Sequence, residues 1–122
     1  MAPKTILVAD DNPMVRRVLC KMFETEQDYE LCAEATNGEV AIQLAKQYRP
    51  DLIILDLAMP IMNGIDAARE LKRLMPQVPI ILFTLYGEMV GNRLGLDSPI
   101  DLVLAKSNGA NLMNHVRSLI PA

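Results

Sequence analysis

Five short apolar runs, separated by stretches with helical periodicity, are the feature that most restricts the fold of this 122-residue chain. The runs cover residues 5–9, 30–35, 52–55, 78–84 and 102–105. Most of them show no polar alternation, as expected of strands covered on both faces inside a parallel sheet. The run at 30–35 partly alternates and is predicted to be an edge strand. Strands that alternate with helices predict a doubly wound α/β fold, with helices on both faces of one parallel sheet.

The stretches between the runs each place apolar residues on one side of a predicted helix. In the first helix the arginines Arg16 and Arg17 and the lysine Lys21 are expected to face water. The predicted apolar stripes are Val15, Val18, Leu19 and Met22 in the first helix, Ala41, Leu44, Ala45 and Tyr48 in the second, Ala68, Leu71 and Met75 in the third, and Leu112, Val116, Leu119 and Ile120 in the last.

Polar residues and glycines predict where these helices begin. Asn12 or Asp11 before Pro13, then Asn37-Gly38, then a third start near residue 65 after Asn63-Gly64, open the first three, and Ser107 or Asn108 is expected to cap the last. A helix between the fourth and fifth strands would contain Gly87, Gly91 and Gly95. Each glycine costs a helix up to about 1 kcal/mol relative to alanine. We therefore expect a short, mobile helix there.

Composition indicates one ordinary globular domain spanning residues 1–122, with 51% apolar and 22% charged residues. The chain has no apolar run long enough to cross a bilayer and no leader pattern, so a soluble, cytoplasmic protein without a membrane contact is expected. A net charge of −3 without a basic cluster argues against a nucleic-acid surface. Cys20 and Cys32 are expected to be buried and reduced.

Acidic side chains follow two of the predicted strands at the point where each strand ends. Asp10 and Asp11 follow the first run, and Asp56 follows the third. The carboxyl ends of parallel strands meet at one edge of a sheet, so these carboxylates should converge there and favour a hard cation such as Mg²⁺. Thr84 and Lys106 end the fourth and fifth strands at the same edge. A phosphoryl group on Asp56 would be surrounded by the cation, the hydroxyl and the ammonium.

Four motifs at these strand ends, VADDN, LDLAMPIMNG, LFT and LAK, make the chain resemble a receiver domain of a two-component response regulator. The spacings of 45 residues from Asp11 to Asp56, 28 to Thr84 and 22 to Lys106 fit that family. The segments DDNPMVRRVL and YELCAEATNG further resemble the receivers of nitrate-response regulators, which have a LuxR-type output domain. The resemblance implies a flavodoxin-like sheet with strand order 2-1-3-4-5.

The same resemblance implies a role for each site residue. Asp56 would accept the phosphoryl group, and Asp11, Asp56 and the carbonyl of Ala58 would bind Mg²⁺, with Asp10 assisting through water. Thr84 and Lys106 would bind the phosphoryl oxygens. The chain would be a signalling domain rather than an enzyme, apart from its own phosphotransfer and slow autodephosphorylation. Its partner would be a sensor histidine kinase; an attached output domain, a partner protein and a phosphorylation-dependent dimer are the others that the resemblance allows.

Three positions depart from the family pattern and keep a second interpretation open. Val103 stands where an aromatic residue is usual, Leu85 where a small residue is usual, and Ser107 where proline is usual. These changes favour a pseudo-receiver, a constitutive interaction module, whereas the complete set of site residues favours a working switch. A dehalogenase-like phosphatase would need an aspartate two residues after the nucleophile, where this chain has Ala58.

Overall fold

The computed structural model describes residues 2–91 and 98–122, and within them the strands form one parallel sheet of order β2-β1-β3-β4-β5. The strands are β1 (Lys4–Ala9), β2 (Tyr29–Ala35), β3 (Leu52–Leu55), β4 (Ile80–Thr84) and β5 (Leu102–Ala105). The predicted order 2-1-3-4-5, and β2 as an edge strand, are confirmed. The fourth strand starts two residues later than predicted because Pro79 has no N–H to donate to the ladder.

The helices are α1 (Pro13–Glu24), α2 (Gly38–Tyr48), α3 (Gly64–Leu74), α4 (Gly87–Gly91) and α5 (Leu112–Leu119). Side chains of Asn12, Asn37 and Asn63 accept hydrogen bonds from the first turns of α1, α2 and α3, as the sequence predicted. The predicted cap of the last helix is wrong. A 3₁₀ helix at Lys106–Asn111 precedes α5, so Ser107 and Asn108 lie before its start.

The predicted short helix after the fourth strand is α4, which has five residues. The remainder of the segment expected to be mobile, including Gly95, lies outside the described residues. Among the residues that are described, none of the helices combines the length and apolar character of a membrane span. Cys20 on α1 and Cys32 on β2 are free thiols, but they are half-buried rather than buried.

The sheet divides the core in two because successive residues of a strand point to opposite faces. Leu7 and Ile53 belong to the core that α2 and α3 cover, together with Ala41, Ala45, Ala67 and Leu71. Ile6 and Ile54 belong to the core that α1 and α5 cover, together with Leu19, Phe23, Leu112 and Val116. Helices therefore cover both faces, which confirms the doubly wound, flavodoxin-like architecture.

Two predicted helix faces need correction. Val18 is 57% exposed, because the buried face of α1 centres on Leu19 and Phe23 and Val18 lies at its edge. Tyr48, in the last turn of α2, is 47% exposed, because the buried face of that helix is formed earlier, by Ala41, Ile42 and Ala45. Arg16 does not face water: its side chain is 19% exposed and turns toward the strand ends of β1 and β2.

Candidate functional site

Three carboxylates meet at the carboxyl ends of β1 and β3, which are neighbours in the sheet. The side chains of Asp10, Asp11 and Asp56 each offer an oxygen, and these oxygens all lie within 4.8 Å of one another. Asp10 and Asp56 are 2% and 7% exposed, whereas Asp11 is exposed. Backbone ladders position the pair, since the Asp56 N–H donates to the carbonyl of Ala9 at 2.9 Å. The fold thus concentrates negative charge at one point of its surface.

Lys106 supplies the positive charge nearest to this cluster. Its Nζ lies 2.8 Å from Oδ2 of Asp10 and 3.4 Å from Oδ2 of Asp56, and its side chain is 13% exposed. It directly follows β5, so its ammonium reaches across the end of the sheet to the carboxylates of β1 and β3. One ammonium between two buried carboxylates compensates part of their charge and fixes their separation.

All the residues predicted to form the site line one open cleft of about 240 Å³. Its walls are Asp10, Asp11, Asn12, Asp56, Ala58, Thr84, Leu85, Tyr86 and Lys106. Thr84 is fully buried at the end of β4, and its hydroxyl accepts a hydrogen bond from the Tyr86 N–H at 3.4 Å. Ala58 is exposed on the loop after β3. The structure therefore brings every predicted site residue together.

Burial raises the pKa of Asp56 above the usual range of a carboxyl group, and the nearby charge of Asp10 raises it further. Lys106 and the N–H of Leu57, which donates to Oδ1 of Asp56 at 2.8 Å, lower the pKa and offset part of that shift. The environment of Asp56 in the folded chain therefore disfavours the ionised form of its carboxyl group. A cation at the cleft would relieve this cost.

The donor set fits a hard divalent cation. The cluster offers carboxylate oxygens only, and Mg²⁺ prefers oxygen ligands from one or two carboxylates with water completing its shell. Asp11 is exposed and so can meet a hydrated ion, while the Asp10 carboxylate already accepts a hydrogen bond from the Asn12 N–H at 2.9 Å and pairs with Lys106. Asp56 also lies near Lys106, but at 3.4 Å rather than the 2.8 Å of Asp10, so Asp11 and Asp56 are the more available ligands.

The loop that follows Asp56 is held at both ends by glycines. At Gly64 a Cβ atom would lie 2.1 Å from the carbonyl oxygen of Asp56, so only glycine allows α3 to start this close to the strand end. At Gly38 a Cβ atom would lie 2.6 Å from the carbonyl oxygen of Met62, which accepts a hydrogen bond from the Gly38 N–H at 3.0 Å. Both glycines are predicted at helix starts, but these close approaches leave no signal in the sequence.

Ile61, in the same loop, has φ of 70° and is 77% exposed. A β-branched residue is strained in the left-handed region, whereas asparagine tolerates it. We therefore expect Ile61→Asn to raise the free energy of unfolding by about 1 kcal/mol, since little apolar burial is lost. Urea unfolding measures the change, with Met89→Asn, at another exposed apolar position, as the control. A destabilised Ile61→Asn variant would contradict the strain argument.

The three residues that depart from the family pattern lie in different parts of the structure. Val103 is half-buried on β5, and Ser107 is exposed in the first turn of the 3₁₀ helix. Leu85 is 74% exposed at the rim of the cleft. Arg16 makes a further contact with the backbone of the site, since it donates a hydrogen bond to the carbonyl of Asp10 at 2.7 Å. Periodicity gives no signal for this contact, because it predicts that a polar residue at this position of α1 faces water.

The family model that describes the response regulator receiver domain matches residues 6–117 of this chain. The chain belongs to that family. Receiver domains are signalling domains rather than enzymes in their own right, they interact with sensor kinases and output domains, and phosphorylation and Mg²⁺ dependence are general properties of the family. The predicted resemblance to response regulators is confirmed, and the similar solved structures include one of the LuxR family.

Two relatives show what share of a receiver-containing protein this chain corresponds to. It is 34% identical over 106 residues to the response regulator protein VraR of Staphylococcus epidermidis, an alignment that covers 87% of this chain and 51% of VraR. It is 39% identical over 85 residues to the chemotaxis protein CheY of Thermotoga maritima, covering 70% of each. The chain thus spans about half the length of VraR.

Solved structures of receivers have the same fold. The response regulator TrrA of Thermotoga maritima, solved in complex with Mg²⁺ and BeF, is 35% identical, with a TM-score of 0.83 and coverage of 96% of this chain and 99% of TrrA. A LuxR-family two-component response regulator from Aurantimonas is 25% identical, with a TM-score of 0.86 and coverage of 97% and 85%. The receiver architecture therefore extends over nearly the whole chain.

Proposed function

We propose that this receiver is a phosphorylation-dependent switch that accepts a phosphoryl group on Asp56 from a sensor histidine kinase. The observation that carries the proposal is the placement of a buried carboxylate at the end of β3, facing an open cleft, 3.4 Å from Lys106 and beside two further carboxylates. A carboxylate inside a strand could not be reached by a donor, whereas this one lies where open α/β sheets bind ligands.

In the transfer step an oxygen of the Asp56 carboxylate attacks the phosphorus of the donor's phosphohistidine. A new P–O bond forms as the P–N bond breaks, and the bonding electrons leave with the imidazole nitrogen. Asp56 must be ionised to attack. Burial raises the pKa of Asp56, so in the absence of a cation its protonation begins at a higher pH than for an ordinary aspartate.

The neighbours of Asp56 stabilise the transferred group. The ammonium of Lys106 would donate to one phosphoryl oxygen. The hydroxyl of Thr84, at the end of the adjacent strand, would donate to another; both residues line the cleft. Asp11, Asp56 and the carbonyl of Ala58 would hold Mg²⁺, with Asp10 acting through water. Bound there, the cation would neutralise charge on the phosphoryl oxygens during transfer. The structure of the related receiver TrrA in complex with Mg²⁺ and BeF supports Mg²⁺ as the cation.

An attached output domain or a partner protein would recognise the phosphorylated state. Formation of a phosphorylation-dependent dimer is one form that this recognition can take. The relation to LuxR-family regulators supports transcription as the process controlled. The net charge of −3 argues against nucleic-acid contact by the domain itself.

A small phosphodonor such as acetyl phosphate tests the proposal directly. With Mg²⁺ present, intact-mass measurement should show one phosphate per chain, and mild alkali should remove it because acyl phosphates are base-labile. Reduction with borohydride followed by peptide mapping should place the modification at Asp56. Absence of labelling, or labelling at another residue, would instead favour the constitutive interaction module.

Leu85 is expected to limit how fast the phosphoryl group enters and leaves. Its exposed side chain lies at the cleft rim between Thr84 and Tyr86, where bulk restricts the approach of donor and water alike. We expect Leu85→Ala to accelerate both formation and hydrolysis of the aspartyl phosphate severalfold. Phosphate lifetimes by intact mass measure this, with Met89→Ala as the control, because Met89 is exposed nearby but does not line the cleft. Equal lifetimes in the parent and Leu85→Ala would refute it.

A further inference from the structure

The guanidinium of Arg16 joins α1 to the strand end that carries the acidic pair. Its Nη1 donates a hydrogen bond to the carbonyl oxygen of Asp10 at 2.7 Å, and its Nε lies 3.4 Å from Oε1 of Glu34 on β2. The Arg16 side chain is 19% exposed, whereas that of its neighbour Arg17 is exposed. Arg16 therefore lies against the backbone of the site rather than in solvent.

The hydrogen bond from Arg16 acts on the peptide unit between Asp10 and Asp11. A peptide unit is planar, so the direction of the Asp10 carbonyl also sets the direction of the Asp11 N–H and the position of the Asp11 Cα atom. The peptide unit before Asp10 is held as well, since the Asp10 N–H donates to the carbonyl of Ala35 at 3.0 Å. Both sides of Asp10 are thus fixed, one by the sheet and one by Arg16.

Asp11 depends on this support more than Asp10 does. The Asp10 carboxylate is buried and has its own contacts with the Asn12 N–H and with Lys106. The Asp11 carboxylate is exposed, so the backbone is the part of this residue through which the fold can orient it. Building on the proposed function, we propose that Arg16 is a positioning residue that orients Asp11 for cation binding at the cleft.

The positioning effect and the charge of Arg16 should change Mg²⁺ affinity in opposite directions. Whether the affinity rises or falls when Arg16 is replaced therefore tests the proposal. A positive charge near three carboxylates repels Mg²⁺, so electrostatics alone predicts that removing the Arg16 charge strengthens Mg²⁺ binding. Loss of positioning predicts the reverse. Partners that orient metal ligands from outside the coordination shell typically contribute roughly 10- to 100-fold in metal affinity.

Calorimetric titration with Mg²⁺ compares the parent with matched variants at one pH and ionic strength. We expect Arg16→Met to weaken binding roughly tenfold. Arg17→Met makes the same charge change at the exposed neighbouring position and should bind Mg²⁺ as tightly as the parent or slightly more tightly. Arg16→Lys keeps the charge and one flexible donor group, and it should recover part of the affinity.

Glu34→Gln removes the ion pair between Arg16 and Glu34 of β2 but leaves the hydrogen bond from Arg16 to the Asp10 carbonyl in place. We expect its Mg²⁺ affinity to stay close to that of the parent, even where its thermal unfolding temperature falls as far as that of Arg16→Met. Mg²⁺ binding by Arg16→Met that equals or exceeds binding by Arg17→Met would overturn the proposal. So would an equal loss of affinity in Glu34→Gln, which would assign the effect to the ion pair.

If Arg16→Met does not fold, Arg16→Lys and Arg17→Lys replace it, and equal Mg²⁺ affinity of these two variants would overturn the proposal. Asp11→Ala is the reference for the site itself and should lose Mg²⁺ binding. A parent that binds no Mg²⁺, or an Asp11→Ala variant that binds it undiminished, would instead overturn the proposed metal site. The two failures are therefore distinguishable.

Discussion

Replacing Asp56 with asparagine should abolish phosphoryl acceptance and, in the absence of Mg²⁺, raise the free energy of unfolding at pH 7 by about 1 kcal/mol. The amide has no anionic oxygen to attack phosphorus, so labelling by a small phosphodonor should fall to background. The gain in stability arises because burial and Asp10 both disfavour the ionised carboxyl in the folded chain. Asparagine keeps the shape of the side chain and removes that charge.

The pH dependence of this gain has a definite sign. The folded-state pKa of Asp56 is raised, so its contribution favours folding fully below the unfolded-state pKa and is lost as pH rises through the folded-state pKa. The difference between Asp56→Asn and the parent should therefore be largest at neutral pH and shrink as the parent's Asp56 becomes protonated. Urea unfolding at several pH values measures it.

Asp28→Asn is a suitable control for the Asp56 experiment, because the Asp28 side chain is exposed and removal of its charge tests the general effect of net charge. It should leave labelling unchanged and shift stability little. Undiminished labelling of Asp56→Asn would exclude Asp56 as the acceptor. Equal unfolding free energies of Asp56→Asn and the parent at pH 7 would contradict the charge argument while leaving the acceptor assignment standing.

Gly64→Ala should destabilise the protein by about 3 kcal/mol, although alanine is the better helix former. The added Cβ would lie 2.1 Å from the carbonyl oxygen and 2.9 Å from the carbonyl carbon of Asp56. These are backbone atoms at the end of a central strand, and they cannot give way as a flexible side chain would. The clash also displaces the Asp56 residue, so phosphoryl acceptance should fall with stability.

Gly109→Ala is the matched control, because a Cβ at Gly109 would meet the Phe83 ring at 3.4 Å, an ordinary contact with a side chain. Chemical unfolding of the two variants should therefore give a large loss for Gly64→Ala and a small change for Gly109→Ala. A Gly64→Ala variant as stable as the parent would show that the loop after β3 relaxes at little cost. The tight start of α3 would then not be required.

The strands and the starts of the first three helices could be predicted because each leaves a local signal. The run LIIL at 52–55 has no polar residue and ends at Asp56, and β3 has those bounds. Asn12, Asn37 and Asn63 stand immediately before apolar periodicity, and each caps a helix. The convergence of carboxylates follows from parallel strands alone, since it needs no knowledge of side-chain packing.

The predictions failed where the length of a side chain or the packing angle of a helix determines which atoms come into contact. Arg16 is polar and was predicted to face water, but its long side chain reaches a backbone carbonyl that periodicity cannot locate. Val18 and Phe23 lie on either side of the α1 stripe, and packing against the sheet selected Phe23. The distance between the Gly64 position and the Asp56 carbonyl is likewise set by how α3 docks, which no sequence motif encodes.

Because the sheet divides the core in two, the packing on one face contributes to stability largely independently of the packing on the other. Leu7 and Ile6 are adjacent in β1 but belong to different cores. Substitutions on opposite faces share few contacts, so their effects on stability should add. A core substitution under α1 and α5 should therefore change stability without disturbing the packing of α2 and α3, the side that holds the loop after Asp56 through Gly38. Each face can thus be repacked separately while the parallel strands between them keep the three carboxylates together.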